Sequence, residues 1–160
     1  MHGYELRRRI RTGLGPFWRV ASSQLYSVLH RLEARGWVVS QEEEADARAK
    51  RIYGITPRGQ EAFEAWIGAP VEHLRDLRVE LFAKLYFLRR RAPKGIARFV
   101  ERQIAVLRRL ETHLADRTGL GGDDPGLGRI GVSFRRHQLR STTQWLAEHL
   151  EELQETEERS

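Results

Sequence analysis

The sequence has no cysteine. That absence excludes thiol redox sensing, thiolate nucleophiles and cysteine-based zinc sites. No apolar run approaches the roughly 20 residues that a membrane-spanning helix needs, and the first residues carry no apolar signal-peptide core. A cytoplasmic protein with no membrane partner is therefore expected. Catalytic constellations are missing too: there is no H-E-x-x-H, no G-x-S-x-G and no paired-carboxylate arrangement. His73, His113, His137 and His149 each lack a second ligand at metal-binding spacing. The expectation is a protein that is not an enzyme and holds neither metal nor cofactor.

What is present is enough apolar material for a core, 40% of 160 residues, in one domain or a small domain with an appended one. Charge is unevenly spread. Residues 1–60 hold eleven Lys or Arg against six Asp or Glu, whereas residues 148–159 hold six Glu against one Arg. A basic front end is the electrostatic footprint of a polyanion binder once a docking element accompanies it. The acidic end reads as a solvated helix end or tail.

The docking element is in the pattern. Residues 2–12 read as a short helix ending at Gly13, followed by a "GLGP" loop. In "SSQLYSVLHRLEARGW" (residues 22–37), Leu25, Val28, Leu29 and Leu32 recur at i, i+3, i+4 and i+7, which predicts an amphipathic helix. Ser22 or Ser23 is the expected N-cap and Gly36 the stop. "WVVSQ" and "KRIYGIT" are β-prone runs flanking the charged "EEEADARA", a hairpin with a long tip. Thr56 then caps a helix with Pro57 at its first position, ending at Gly68. Helix, helix, hairpin, helix is the order of a winged helix-turn-helix, whose second helix enters the major groove.

The outer face of that second helix carries Ser23, Ser27, His30 and Arg31, with Gln24 beside them. A merely solvated face is more often Glu and Lys. Gln and Arg make bidentate contacts to base edges, and small residues at a helix N-terminus let a phosphate approach its dipole. Arg48, Lys50 and Arg51 lie on the return side of the hairpin, where a wing meets flanking phosphates.

Taken together, "MHGYEL", "SSQLYSVLHRLEARGWV" and "RIYGITPRGQEAFEAWI" resemble the PadR family of transcriptional regulators, closely over residues 1–68. Through "LRVELFAKLYFLRR" the remainder more loosely resembles the helical C-terminal half of the larger members, a type also seen in virulence-gene activators. The resemblance implies a homodimer on an inverted repeat of double-stranded DNA, acting as a repressor and released by a small-molecule effector. By position it puts recognition-helix contacts on Ser22, Ser23, Gln24, Tyr26, Ser27, His30 and Arg31, and wing contacts on Arg48, Lys50 and Arg51. Tyr26, on the flank of the helix, either reaches a phosphate or packs against the wing. Members of the family begin with an apolar helix ahead of the "MHGYEL" equivalent, whereas this sequence starts inside that motif. One wall of the small core is then missing. Either another element fills the gap or the start is misassigned, and a misassigned start is the expectation.

Ala69–Pro70 marks a boundary between residues 1–68 and residues 69–160. Beyond it, a helix is expected over about 72–91 with Leu74, Leu77, Leu81, Phe82, Leu85 and Leu88 apolar. Another is expected over about 95–117 with Ile96, Val100, Ile104, Leu107, Leu110 and Leu114. The glycine-rich stretch 118–128 lacks GK[ST] and a preceding strand, so it is no phosphate cradle. The last helix, about 129–154, carries two stripes. Leu139, Leu146, Leu150 and Leu153 form the expected dimerisation stripe. Phe134, Gln138, Ser141, Trp145 and His149 form either one wall of an effector pocket or ordinary core with a polar rim.

The expected fold is mainly α: a winged helix-turn-helix with a two-stranded wing, plus an α-helical C-terminal dimerisation and effector domain. The expected function is a ligand-responsive DNA-binding regulator. Two alternatives compete: a winged-helix protein-interaction module without specific DNA binding, and a small-molecule binding protein that has lost its DNA function.

Overall fold

The computed structural model describes residues 1–15, 21–43, 50–116 and 124–154. Helix α1 (Gly3–Leu14) turns Leu6, Ile10 and Leu14 inward at i, i+4 and i+8. It runs past Gly13, where the sequence predicts a stop, because Leu14 is itself a core residue at 5% exposure. On its outer side Arg9 bonds Glu5 at 2.7 Å and holds that exposed carboxyl below its usual range.

Helix α2 (Ser22–Ala34) buries Leu25 and Leu29. Its N-cap is Ala21 rather than either serine; the Gln24 amide oxygen accepts from the Ala21 N–H at 3.3 Å. Its end is the predicted one. Gly36 adopts φ +70°, its N–H donates to the Glu33 carbonyl at 2.8 Å, and the Trp37 N–H donates to the Leu32 carbonyl at 3.0 Å. This is a Schellman stop, which needs a residue tolerant of left-handed backbone.

Strands β1 (Val38–Glu43) and β2 (Lys50–Ile55) form an antiparallel hairpin in which Ser40 faces Tyr53 and Glu42 faces Arg51. The other edge of β2 takes up the start of the chain: the Tyr53 N–H donates to the Met1 carbonyl at 2.9 Å, and His2 bridges to Ile52. Tyr53 closes a core with Leu25 and Leu29, packed by Leu6, Ile10 and Val38.

Helix α3 (Pro57–Gly68) starts at the predicted cap. The Gly59 N–H donates to Thr56 Oγ1 at 3.0 Å, and that hydroxyl donates to the Gly36 carbonyl at 2.7 Å. The capping residue thus ties α3 to the loop that ends α2. The result is a winged helix with a two-stranded wing in a mainly helical chain, as expected. The chain divides into two compact units, Met1–Gly68 and Ala69–Ser160.

The second unit is a set of helices. The predicted helix at 72–91 instead begins as a single π turn at Leu77–Leu81 and continues as α4 (Phe82–Arg91). The reason lies at Val71. Its N–H donates to Gln103 Oε1 at 2.7 Å and its carbonyl accepts from Gln103 Nε2 at 3.0 Å. With both its main-chain groups engaged by one side chain, Val71 does not serve as the cap of a helix starting at residue 72. Pro93–Gly95 makes a 3-10 turn, and α5 (Ile96–Asp116) buries Ile96, Phe99, Val100, Val106 and Leu107. Along it packs α6 (Pro125–Glu148), followed after His149 by the short α7 (Leu150–Gln154). Two polar side chains sit in this core. Gln103 is the clamp just described, and Lys84 Nζ donates to the Ala69 carbonyl at 2.6 Å and lies 2.8 Å from Glu80. No helix among the described residues is long and apolar enough to cross a membrane.

Candidate nucleic-acid interface

The face of α2 opposite Leu25 and Leu29 is uncovered. Ser22, Ser23, Gln24, Tyr26, Ser27, His30 and Arg31 are all exposed. The side chains of Ser23, Ser27 and Arg31 have no hydrogen-bond partner among the described residues. The segment 22–32 contains no carboxylate. The first acid after it, Glu33, accepts from Ser40 Oγ at 2.6 Å and stands 3.9 Å from His30 Nδ1. That carboxylate is thus drawn toward the hairpin. The helix presents unspent donors and acceptors, a guanidinium group and an open N-terminal turn, which is what base-edge and phosphate contacts require.

Two side chains behave differently from the simplest expectation. Gln24 is partly engaged, because its amide oxygen caps Ala21, so a base contact through that oxygen exchanges one hydrogen bond for another. Tyr26 makes a contact that neither alternative named: its ring lies against Gly3 of α1, where an added Cβ would meet Cε1 and Oη at 3.1 Å. One cation was not legible from the motif. Arg7 of α1 reaches across 15 positions to donate to Ser22 Oγ, adding positive charge at the N-terminal end of α2. No local sequence signal announces it, because it depends on how α1 crosses α2.

On the wing, Arg51 is exposed and pairs across the hairpin with Glu42 at 3.4 Å. Lys50 sits at the first position of β2, opposite Glu43. Arg48 lies outside the described residues.

A groove of about 590 Å³ runs beside α2, lined by Leu6, Ile10, Val28 and Leu32 as well as by Gln24 and Arg31. Val28 and Leu32 are only half-buried. The underside that should brace the reading helix is therefore apolar and partly open among the described residues.

In the second unit the residues of the two expected stripes differ in exposure. Leu139 and Leu146 are 1% and 0% exposed within the single chain. They are buried in the core of the second unit, so the expected dimerisation stripe is corrected at these two positions: within the single chain they present no surface to a partner. Leu150 and Leu153 of α7 are half-buried. Phe134, by contrast, is 63% exposed, and with Leu127 and Ile130 it makes a bare apolar row at i, i+3 and i+7. Gln138 and Ser141 are exposed beyond it. Trp145 packs on Phe82 with ring centres 5.5 Å apart and stacks on His149 at 5.0 Å. Phe134, Gln138, Ser141, Trp145 and His149 thus follow one helix face, on which Phe134, Gln138 and Ser141 are exposed and Trp145 and His149 half-buried. No group of three metal-ligating side chains gathers among the described residues.

Parts of the chain are similar to known transcriptional regulators. The pattern of the transcriptional regulator PadR-like family matches residues 1–65. The transcriptional regulator Rv3488 of Mycobacterium tuberculosis is 49% identical over 45 residues, 28% of this chain and 42% of that protein. The probable transcriptional regulator Rv1176c of the same organism is 34% identical over 77 residues, 46% of this chain and 39% of that protein. The chain thus spans about two-fifths of the length of each relative. Among solved structures, Bacillus subtilis PadR in complex with operator DNA is 18% identical, covering 96% of this chain and 91% of that one with a TM-score of 0.44.

Proposed function

We propose, from the match of residues 1–65 to the PadR-like family of transcriptional regulators, that the chain is a regulator of that family that binds an inverted-repeat operator as a homodimer and represses from it. The observation that carries this reading is the outer face of α2. Seven exposed positions there, Arg31 among them, hold no carboxylate, are joined by Arg7 at the N-terminal end, and are mounted on a buried Leu25–Leu29 underside. Phosphate contacts by the wing would add affinity without sequence information.

Fluorescence anisotropy on a duplex from the protein's own upstream region tests it. Binding is expected to weaken with salt, with a log–log slope of about −0.9 per phosphate neutralised. Arg51→Ala is expected to reduce that slope by about 1 while weakening specific and random duplexes alike. No retention of DNA at micromolar protein would contradict the proposal. It would instead favour the protein-interaction module, a reading supported by the open apolar groove beside α2.

The homodimer is proposed to form through the bare row on α6. Leu127, Ile130 and Phe134 are 63–66% exposed, and a row of large apolar side chains in water is relieved by burial against an equivalent face. Phe134→Asp is expected to weaken self-association at least ~30-fold, the size of an interfacial hot spot of about 2 kcal/mol. Sedimentation equilibrium would show it as a shift from dimer to monomer. An unchanged dimer would place the interface elsewhere.

A further inference from the structure

A second face of α6, turned away from the apolar row, is basic. Arg129, Arg136 and Arg140 stand at i, i+7 and i+11 and, with His137, line a groove of about 240 Å³. Gly128 and Ser133, both small, keep it open. Among the described residues, Glu111 of α5 is the carboxylate paired with these arginines. One of its oxygens accepts from Arg140 Nε and lies 3.6 Å from Arg136 Nη2. One carboxylate against three guanidinium groups leaves positive charge uncompensated. The donors are also unspent: Arg129 has no hydrogen bond or ion pair among the described residues, and Arg136 Nε is buried without an acceptor.

Two guanidinium groups already converge on one carboxylate oxygen, so the groove has the geometry for holding an oxyanion. A guanidinium presents five donors in a rigid fork that matches the oxygens of carboxylates and phosphates. We propose that this groove binds a small oxyanion, a carboxylate or phosphate group on a molecule that fits within it. Arg129 and Arg140 act as direct donors, and Arg136 is held between the ligand and Glu111. The site lies wholly within the second unit, so it does not depend on the DNA-binding proposal.

Isothermal titration of the full chain, at ionic strength held constant with chloride, tests it with inorganic phosphate, benzoate and the neutral benzamide. One site per chain is expected for phosphate, benzoate or both, and none for benzamide. Arg129→Ala is expected to weaken that binding at least fivefold, and Arg129→Ala combined with Arg140→Gln to abolish it. A response to phosphate alone assigns a phosphoryl ligand, and a response to benzoate alone assigns a carboxylate. Binding of neither anion overturns the proposal. So does anion binding that survives unchanged in the double variant, which would place it on cations elsewhere, such as those of the first unit. Circular dichroism of both variants checks that the helices persist.

Discussion

Replacing Gly59 with alanine is expected to destabilise the first unit by about 3 kcal/mol, at the upper end of the usual cost of overpacking. An added Cβ at this position would stand 2.0 Å from the Trp37 carbonyl oxygen and 2.8 Å from its carbon. Both are main-chain atoms and cannot swing aside. The same carbonyl accepts from the Thr56 N–H at 3.0 Å, and Thr56 in turn caps Gly59 itself. Backing α3 away would therefore undo the cap that anchors it to the end of α2. Among the described residues of this unit the buried apolar side chains are Leu14, Leu25, Leu29, Tyr53 and Ile67. A loss of this size is thus a large part of the 5–15 kcal/mol that holds a typical domain. Gly68→Ala is the control, since a Cβ there meets nothing within 4 Å. Thermal denaturation followed by circular dichroism should separate the two variants clearly. A Gly59→Ala protein that melts with the parent would contradict the close approach of α3 to Trp37.

The second large effect is expected at Lys84, whose side chain is 2% exposed. Lys84→Ala removes the donor to the Ala69 carbonyl and the cation beside Glu80, and leaves a cavity. Breaking one side of a buried pair costs about 3–5 kcal/mol; Glu80 is partly solvated, so about 3 kcal/mol is expected here. Removing both charges is expected to be milder, because a buried ion pair gains little over apolar packing of similar volume. Lys84→Met combined with Glu80→Gln should therefore recover at least half of the loss in urea denaturation. If Lys84→Ala proves as stable as the parent, the pairing does not hold the start of the second unit in place.

The contrast between these sites and the N-terminal pattern shows what a sequence can carry. Local punctuation was legible in part: α1 runs past the expected stop at Gly13 and Ala21, not a serine, caps α2, but two other signals held. Gly36 ends α2, and Thr56 with Pro57 begins α3, because each acts within a few residues through backbone geometry. Long-range pairings were not. Gln103 clamps Val71 from 32 positions away, and that clamp delays the helix expected from residue 72. Periodicity identified Leu139 and Leu146 as apolar but could not say whether their own chain or a second one covers them; both are buried within the single chain. The bare row at Leu127, Ile130 and Phe134 carries the same helical period, yet only the packing shows that this row is the one left exposed. On α2 the outer face was legible from its residue types, whereas Arg7 and the Tyr26–Gly3 contact depend on how two helices cross. The wing was legible as a hairpin, but the Arg51–Glu42 pair follows from its register.

If α2 reads base sequence, the protein must discriminate between duplexes, and that discrimination is directly measurable. Anisotropy titrations would compare the parent with Gln24→Ala/Arg31→Ala on an inverted repeat from the upstream region and on a scrambled duplex of equal length. The parent is expected to prefer the repeat. The double variant is expected to lose about 1–3 kcal/mol per base contact on the repeat and to approach its affinity for the scrambled duplex. Equal affinity of both proteins for both duplexes would contradict base reading by α2.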